Sequence, residues 1–458
     1  MVIILKFKWP SVPLSDLIEE RTDTPNLADI SMGRIKVISK IDFKNGEIQL
    51  RDHGNTRTEM ILVRPGDLVI SGINAIKGAV AIYNSNNIEP IAATIHYSSY
   101  FPKSAKINIQ YIWWLLRSQI FRSIIEEMMP GGIKFELRAN RLLSVPVPLP
   151  SPTEQQIIVV QIEETVKKLK EITDYSYTLS FLIQKFRRLV LDFAFSGKLT
   201  SDWRLKNKKI ESAYQFLENL KLKRKDCYYE ENKKVRIAES EKSERSYNFY
   251  FEKNQIIDTW ANAQLDNLIY IAGRIGWRGL KAEEYTEDGP IFLSVYNLNN
   301  GEYVNFEGAF HISKERYDES PEIQLQENDI LLAKDGAGIG KIGIIKNLEQ
   351  LATVNSSLLV IRARDVFIPK YLFYFLSGPR LQQIAQERIS GSATPHLFQR
   401  DIKKFVLSIP PLLEQQEIVN RIELLFNKIY ETEMHLLQIN KLTKSLLQFI
   451  LIKAFIRD

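Results

Sequence analysis

The sequence predicts an α+β protein: two α/β-type globular blocks separated by two long antiparallel helices forming a coiled coil, with a pseudo-two-fold internal repeat. Three observations carry that prediction. First, residues 148–196 recur from Pro410 onward at a constant offset of 260 positions. Glu154-Gln155-Gln156 becomes Glu414-Gln415-Gln416, Ile162-Glu163 becomes Ile422-Glu423, and Ala194-Phe195 becomes Ala454-Phe455. No gap is needed, and helices keep register where loops drift. Second, neither copy has an internal proline or glycine, and Pro150, Pro152, Pro410 and Pro411 stand where helices begin. Third, the segments preceding the two copies also echo one another, though less closely.

The elements follow in chain order. Residues 1–147 form the first block, with β-type runs at 34–39, 68–71, 79–83 and 91–96. Asn45-Gly46, Asp52-His53-Gly54 and Pro65-Gly66-Asp67 supply turns, residues 110–128 a helical stretch, and Pro130-Gly131-Gly132 a glycine-rich loop. Residues 148–200 form the first long helix. About 40 helical residues make a rod of roughly 60 Å. Leu179, Leu182, Phe186, Leu189 and Phe193 step by 3 and 4, as do Ile439, Leu442, Leu446 and Phe449. This spacing predicts the seam along which each helix packs on the other. Gly197 ends the first helix. Residues 201–257, dense in Lys, Arg, Glu and Tyr, are expected to be a solvated, partly helical charged connector. Residues 258–408 replay the first block: Trp260 echoes Trp9, Asp329 echoes Asp67, and Tyr371 echoes Tyr111. Residues 409–458 are the second long helix. Antiparallel helices would relate the two units by a two-fold axis and set similar readers on two half-sites of a duplex, whose strands have two-fold symmetry of their own.

Composition bounds the class. With 458 residues, 45% hydrophobic and 25% charged, the chain reads as globular and multidomain. The single cysteine, Cys227, excludes a disulfide framework and a multi-cysteine zinc site. The apolar opening breaks at Lys6, and no later run approaches a membrane span, so a cytoplasmic location is expected. A net charge of +6 and a pI near 9.0 lean towards a polyanionic partner.

A family resemblance rests on specific residues. Pro150-Ser151-Pro152-Thr153-Glu154-Gln155-Gln156 with Ala194-Phe195-Ser196-Gly197-Lys198-Leu199-Thr200 resembles the first conserved region of type I restriction–modification specificity subunits. Pro410-Pro411-Leu412-Leu413-Glu414-Gln415-Gln416 resembles the second. Residues 333–341 are similar to the later part of that family's target recognition domains. The second copy lacks the Ser-Gly-Lys-Leu-Thr tail. The resemblance implies a non-catalytic subunit whose two target recognition domains each read half of a bipartite double-stranded DNA site. It also implies that the long helices dock two methyltransferase subunits and that restriction subunits join the complex. No cofactor is expected in this chain; S-adenosylmethionine, ATP and Mg are expected in the partner subunits, and no membrane is implied.

Gly338, Gly340 and Gly343 match a G-x-G-x-x-G pattern, but Ile344-Ile345-Lys346 continues as strand where a dinucleotide site needs a helix. Residues 336–341 miss the phosphate-loop spacing by one, and Ile342 stands where a Mg-binding Ser or Thr belongs. A glycine turn between strands is expected there. Neither Asn-Pro-Pro-Tyr nor His-Glu-x-x-His occurs. DNA readout needs donors and acceptors on loops, with Lys and Arg for phosphates. The candidates are Lys77, Lys134, Arg138 and Arg141 in the first block, and Arg274, Trp277, Arg278, Lys281, Lys334, His396, Gln399, Arg400 and Lys403 in the second. Glu154, Gln155, Gln156, Glu414, Gln415 and Gln416 are candidates for helix capping or for contact with partner subunits. Two other readings stay open: a coiled-coil scaffold without DNA reading, and a nucleotide-binding enzyme built on the 336–343 turn.

Overall fold

The computed structural model describes residues 7–51, 59–83, 88–128, 137–234, 247, 249–274, 280, 282–298, 301–391 and 396–456. The chain divides into two compact units, Met1–Leu179 with Met434–Asp458 and Ser180–Glu433. The two long helices are Pro152–Phe195 and Leu412–Phe455, each 44 residues. Each unit therefore holds the start of one long helix and the end of the other.

In the first unit, strands Ile18–Glu20, Tyr97–Pro102, Leu68–Ser71 and Val80–Ile82 form an antiparallel sheet in that order. A second sheet runs Ile48–Arg51, Val37–Ile41, Ile91–Thr94, Met60–Val63, and Ser11–Pro13 pairs with Pro146–Pro148. The expected helical stretch is two helices, Ile109–Arg117 and Gln119–Met128, parted at Ser118, whose Oγ bonds Leu115 O instead of continuing the helix. Leu14, Leu68, Tyr100, Tyr111, Phe121, Ile162 and Phe455 fill the core.

The second unit repeats the plan. Ile269–Gly273, Leu358–Ala363, Ile330–Ala333 and Ile342–Ile344 form the matching four-stranded sheet, and Phe310–Ile312, Tyr285–Leu293 and Ala352–Val354 the matching second sheet. In both second sheets one pairing is parallel, Val37 with Ala92 and Phe292 with Thr353. Residues 201–257 do more than connect. Ala213, Leu217 and Leu220 of helix Ala213–Lys234 are buried in the core beside Trp260, and Phe251–Lys253 adds a strand to the sheet of Ala261–Gln264 and Val406–Ile409. Three apolar residues spaced by 4 and 3 suffice to seat one helix face; the dense charge lies on its other faces.

The long helices pack on a different face from the one their apolar spacing predicts. Leu182, Phe186, Leu189 and Phe193 are 45–50% exposed, and Ile439, Leu442, Leu446 and Phe449 are 41–59% exposed. Along the stretches 162–190 and 422–436 the buried residues are Ile162, Leu169, Ser176, Ile183 and Val190 on one helix and Ile422, Ile429 and Leu436 on the other, spaced by seven. The predicted seam is thus an exposed apolar stripe beside the true one. The helices run antiparallel within the second unit: Arg187 bonds Glu433, while Leu199 O and Asp202 meet Arg421.

Candidate nucleic-acid interface

In the second unit the site is built on the hairpin Ile330–Ala333/Ile342–Ile344. Its tip holds the glycine turn expected from the sequence: Gly336 and Gly340 have φ of 71° and 86°, and strand Ile342–Ile344 follows rather than a helix. A Cβ on Gly340 would stand 2.9 Å from that of Ala385, so side chains are excluded by space as well as by φ. Gln382 Nε2 donates to Gly340 O at 2.9 Å and fixes the tip. Lys334 Nζ pairs with Asp335 Oδ2 at 2.5 Å, and His396 Nδ1 contacts the other oxygen of the same carboxylate. Leu397 N donates to Lys334 O at 2.8 Å, tying the 396–398 segment to the hairpin. The Phe398 ring is met by His396 edge-on at 4.3 Å and by the Arg400 guanidinium at 4.4 Å. A methyl added at Gly273 would lie 3.7 Å from Gln399 Nε2, which places Gln399 beside the strand end that leads to Arg274.

The structure thus brings together Lys334, His396, Gln399 and Arg400, with Asp335 pairing to Lys334 and His396 and with Phe398, 39% exposed, as an apolar face. Lys403 faces away towards Asp266, 3.8 Å off. Arg274 sits over the Phe292 ring at 5.9 Å with a buried Nη2 that has no hydrogen-bond partner among the described residues; burial and then the nearby Arg316 charge lower its pKa. Lys134, Trp277, Arg278 and Lys281 lie outside the described residues.

The first unit has the same frame with other side chains. Leu137 N donates to Gly72 O at 2.9 Å, the counterpart of the Leu397–Lys334 bond. Lys77 is exposed on the hairpin tip, and Arg138 and Arg141 are exposed on the short helix Ala139–Leu143. Asp67 and Asp329, both buried, start the corresponding strands. Arg21, just past strand Ile18–Glu20, holds Asp67 at 2.6 and 2.8 Å, and Arg362, on strand Leu358–Ala363, holds Asp329 at 2.6 and 2.7 Å. The sequence echo of the aspartates was visible; the arginine partners, at non-equivalent positions, carried no signal.

The Glu-Gln-Gln residues join block to helix. Gln155 Oε1 accepts from Asn108 N at 2.8 Å and Gln415 Oε1 from Ile368 N at 2.9 Å, and both glutamines are buried. Glu154 forms a capping box with Ser151 and accepts from Trp9 Nε1 at 3.1 Å. Glu414 is buried and accepts from Trp260 Nε1 at 2.9 Å, Thr200 Oγ1 at 2.7 Å and Arg204 at 2.8 and 3.0 Å. Gln156 and Gln416, by contrast, are exposed. Tyr111 meets Phe455, and Tyr371 meets Phe195, each at 5.5 Å between ring centroids. Each block therefore grips the start of the helix that follows it and the end of the other one, at equivalent positions. Among the described residues no three His, Cys, Asp or Glu side chains are grouped to hold a metal, and no helix is long and apolar enough to cross a membrane.

Residues 257–441 match the family described as type I restriction modification DNA specificity domain. Over that segment the chain is similar to type I restriction–modification specificity subunits. It is similar to the specificity subunit of the type I restriction enzyme EcoBI of Escherichia coli, 26% identical over 331 residues. That match takes in 70% of this chain and 59% of the relative, so the chain spans under two thirds of that subunit's length. In fold it is similar to a chain from a structure of type I R-M complex assembly and conformational transition, with TM-score 0.66, 15% identity and 98% and 97% of the two chains covered. The HsdS subunit of Thermoanaerobacter tengcongensis is similar too, with TM-score 0.58, 16% identity and 98% and 96% covered. These likenesses bear out the expected family and the two-block, two-helix fold.

Proposed function

We propose that this chain is the DNA sequence-specificity subunit of a type I restriction–modification complex. Each block reads one half of a bipartite, asymmetric duplex site, and the chain performs no catalysis itself. The observation that carries this reading is the repeated hairpin and short helix, held by equivalent bonds but carrying different cations, amides and aromatics: Lys77, Arg138 and Arg141 in one block, Lys334, His396, Gln399 and Arg400 in the other. Equal frames with unlike side chains suit two half-sites of unlike sequence. The apolar stripe along the long helices is the proposed dock for methyltransferase subunits, which supply S-adenosylmethionine. Restriction subunits bring ATP and Mg to the same assembly.

The test is selection from a pool of random duplexes by the full chain assembled with its methyltransferase subunits. The expected product is two fixed base runs at a constant spacing, with affinity falling steeply as salt rises. A complex that assembles but enriches no sequence would leave only a scaffold role.

A further inference from the structure

Arg117, at the C-terminal end of helix Ile109–Arg117, is a buried cation, 9% exposed, and among the described residues no side-chain carboxylate is hydrogen-bonded to it. Among the described residues its guanidinium donates to main-chain oxygens alone. Nη1 reaches Gly78 O at 2.8 Å and Val80 O at 3.1 Å, and Nη2 reaches Phe43 O at 3.3 Å and Lys44 O at 2.5 Å. The group also lies over the Trp113 ring at 4.7 Å, and Trp113 Nε1 bonds Val80 O at 2.9 Å. Burial lowers its pKa to about 10, which leaves it charged at neutral pH. One cation thus clamps two turns together: the tip of the 68–82 hairpin, which carries Lys77, and the 42–47 turn of the neighbouring sheet.

That second turn is built to fit the clamp. Gly46 has φ of 74°, and a Cβ there would come within 2.9 Å of Val80 O, Arg117 Nη1 and the Trp113 ring. Asp42 Oδ1 accepts from Lys44 N at 2.8 Å and Asn45 N at 3.0 Å, closing the turn from inside. A Cβ on Gly78 would stand 3.0 Å from Phe43 O, so the two tips are in contact. The turn offers to solvent the Phe43 ring, 46% exposed, and the exposed Lys44 ammonium, beside exposed Asn45 and Glu47, which bond each other, and exposed Lys77 lies on the neighbouring tip. An apolar ring next to cations on a rigid backbone is a combination suited to base and phosphate contact. A buried charge spent on fixing exposed main chain is otherwise costly.

We infer that the 42–47 turn is a DNA-contacting element of the first block, with Phe43 on a base edge, Lys44 on a phosphate, and Arg117 as the positioning residue. This rests on the DNA-reading function proposed above. In the second unit position 377, which matches Arg117, is Ser377, so the clamp belongs to one block only.

The experiment uses the full chain with its methyltransferase subunits and the selected duplex. Lys44→Ala should weaken binding to all sequences alike and reduce the slope of log affinity against log salt by about one. Phe43→Ala should lower discrimination in one half-site by roughly tenfold and leave the other half unchanged. Arg117→Lys keeps the charge but not the fork that spans four carbonyls, and should relax the same half-site as Phe43→Ala. A wild-type complex that selects no sequence overturns the DNA-reading function itself. A wild-type complex that selects, with Lys44→Ala and Phe43→Ala both unaltered in affinity, slope and preference, overturns this inference. Arg117→Lys with wild-type discrimination removes its positioning role.

Discussion

Glu154 and Glu414 hold one place in the repeat and face different surroundings. Glu154 is half-buried, with one oxygen taken by the capping box and the other by Trp9 Nε1. Glu414 is 1% exposed and anchors Thr200, Arg204 and Trp260, so its removal strands a half-buried cation and two buried donors. Glu414→Ala should cost about 3 kcal/mol in denaturant unfolding, and Glu154→Ala distinctly less; equal losses would contradict the assignment. The Ser-Gly-Lys-Leu-Thr tail of the first copy supplies Thr200 to Glu414, whereas at the end of the second copy Ile456 pairs with Phe7. Nearby, Asp202 is held by Arg421, whose hydrogen bonds lower its pKa to about 2. A carboxyl depressed below its unfolded value stabilises the fold above about pH 4, and that contribution fades as pH falls through 2. Melting curves of wild type and Asp202→Asn should converge over that window. The effect is small, because Asp202 is 59% exposed. At this scale the sequence marked Glu414 as repeated, but not as buried, since burial was decided by a threonine 214 positions away.

The long helices were legible as elements, including their starts and the end at Gly197. Their packing face was not. Both the seven-residue series Ile162, Leu169, Ser176, Ile183, Val190 and the series Leu179, Leu182, Phe186, Leu189, Phe193 follow helical spacing. A helix apolar over so wide an arc packs one part on its neighbour and leaves the rest for another partner, and periodicity cannot say which part goes where. The buried series even includes Ser176, which hydropathy would have placed outside. Paired substitutions separate the faces. Ile183→Ala should destabilise the chain by about 2–4 kcal/mol, whereas Leu182→Glu should leave its unfolding nearly unchanged and abolish co-purification with methyltransferase subunits. Stable assembly by Leu182→Glu would show that the stripe is not the dock.

For the whole chain, the repeat was the most readable feature, because 260 positions separate not only like residues but like bonds: Gln155 to Asn108 and Gln415 to Ile368, Tyr111 to Phe455 and Tyr371 to Phe195. What stayed hidden was built from residues far apart in sequence, such as the Lys334–Asp335–His396 cluster and the Arg117 clamp. Of the proposed contacts, Lys334, His396, Gln399 and Arg400 could be picked out by residue type and loop position. Asp335, which organises two of them, could not, since an acid is not an obvious member of a DNA-binding set.

The central claim is that the two blocks read DNA independently from equivalent frames. The most direct measurement is the modified sequence in DNA from cells expressing the chain with its methyltransferase, before and after residues 258–408 are exchanged for the matching block of another family member. The account predicts that one half of the bipartite site changes and the other half stays. A site changed in both halves, or unchanged in either, would contradict it.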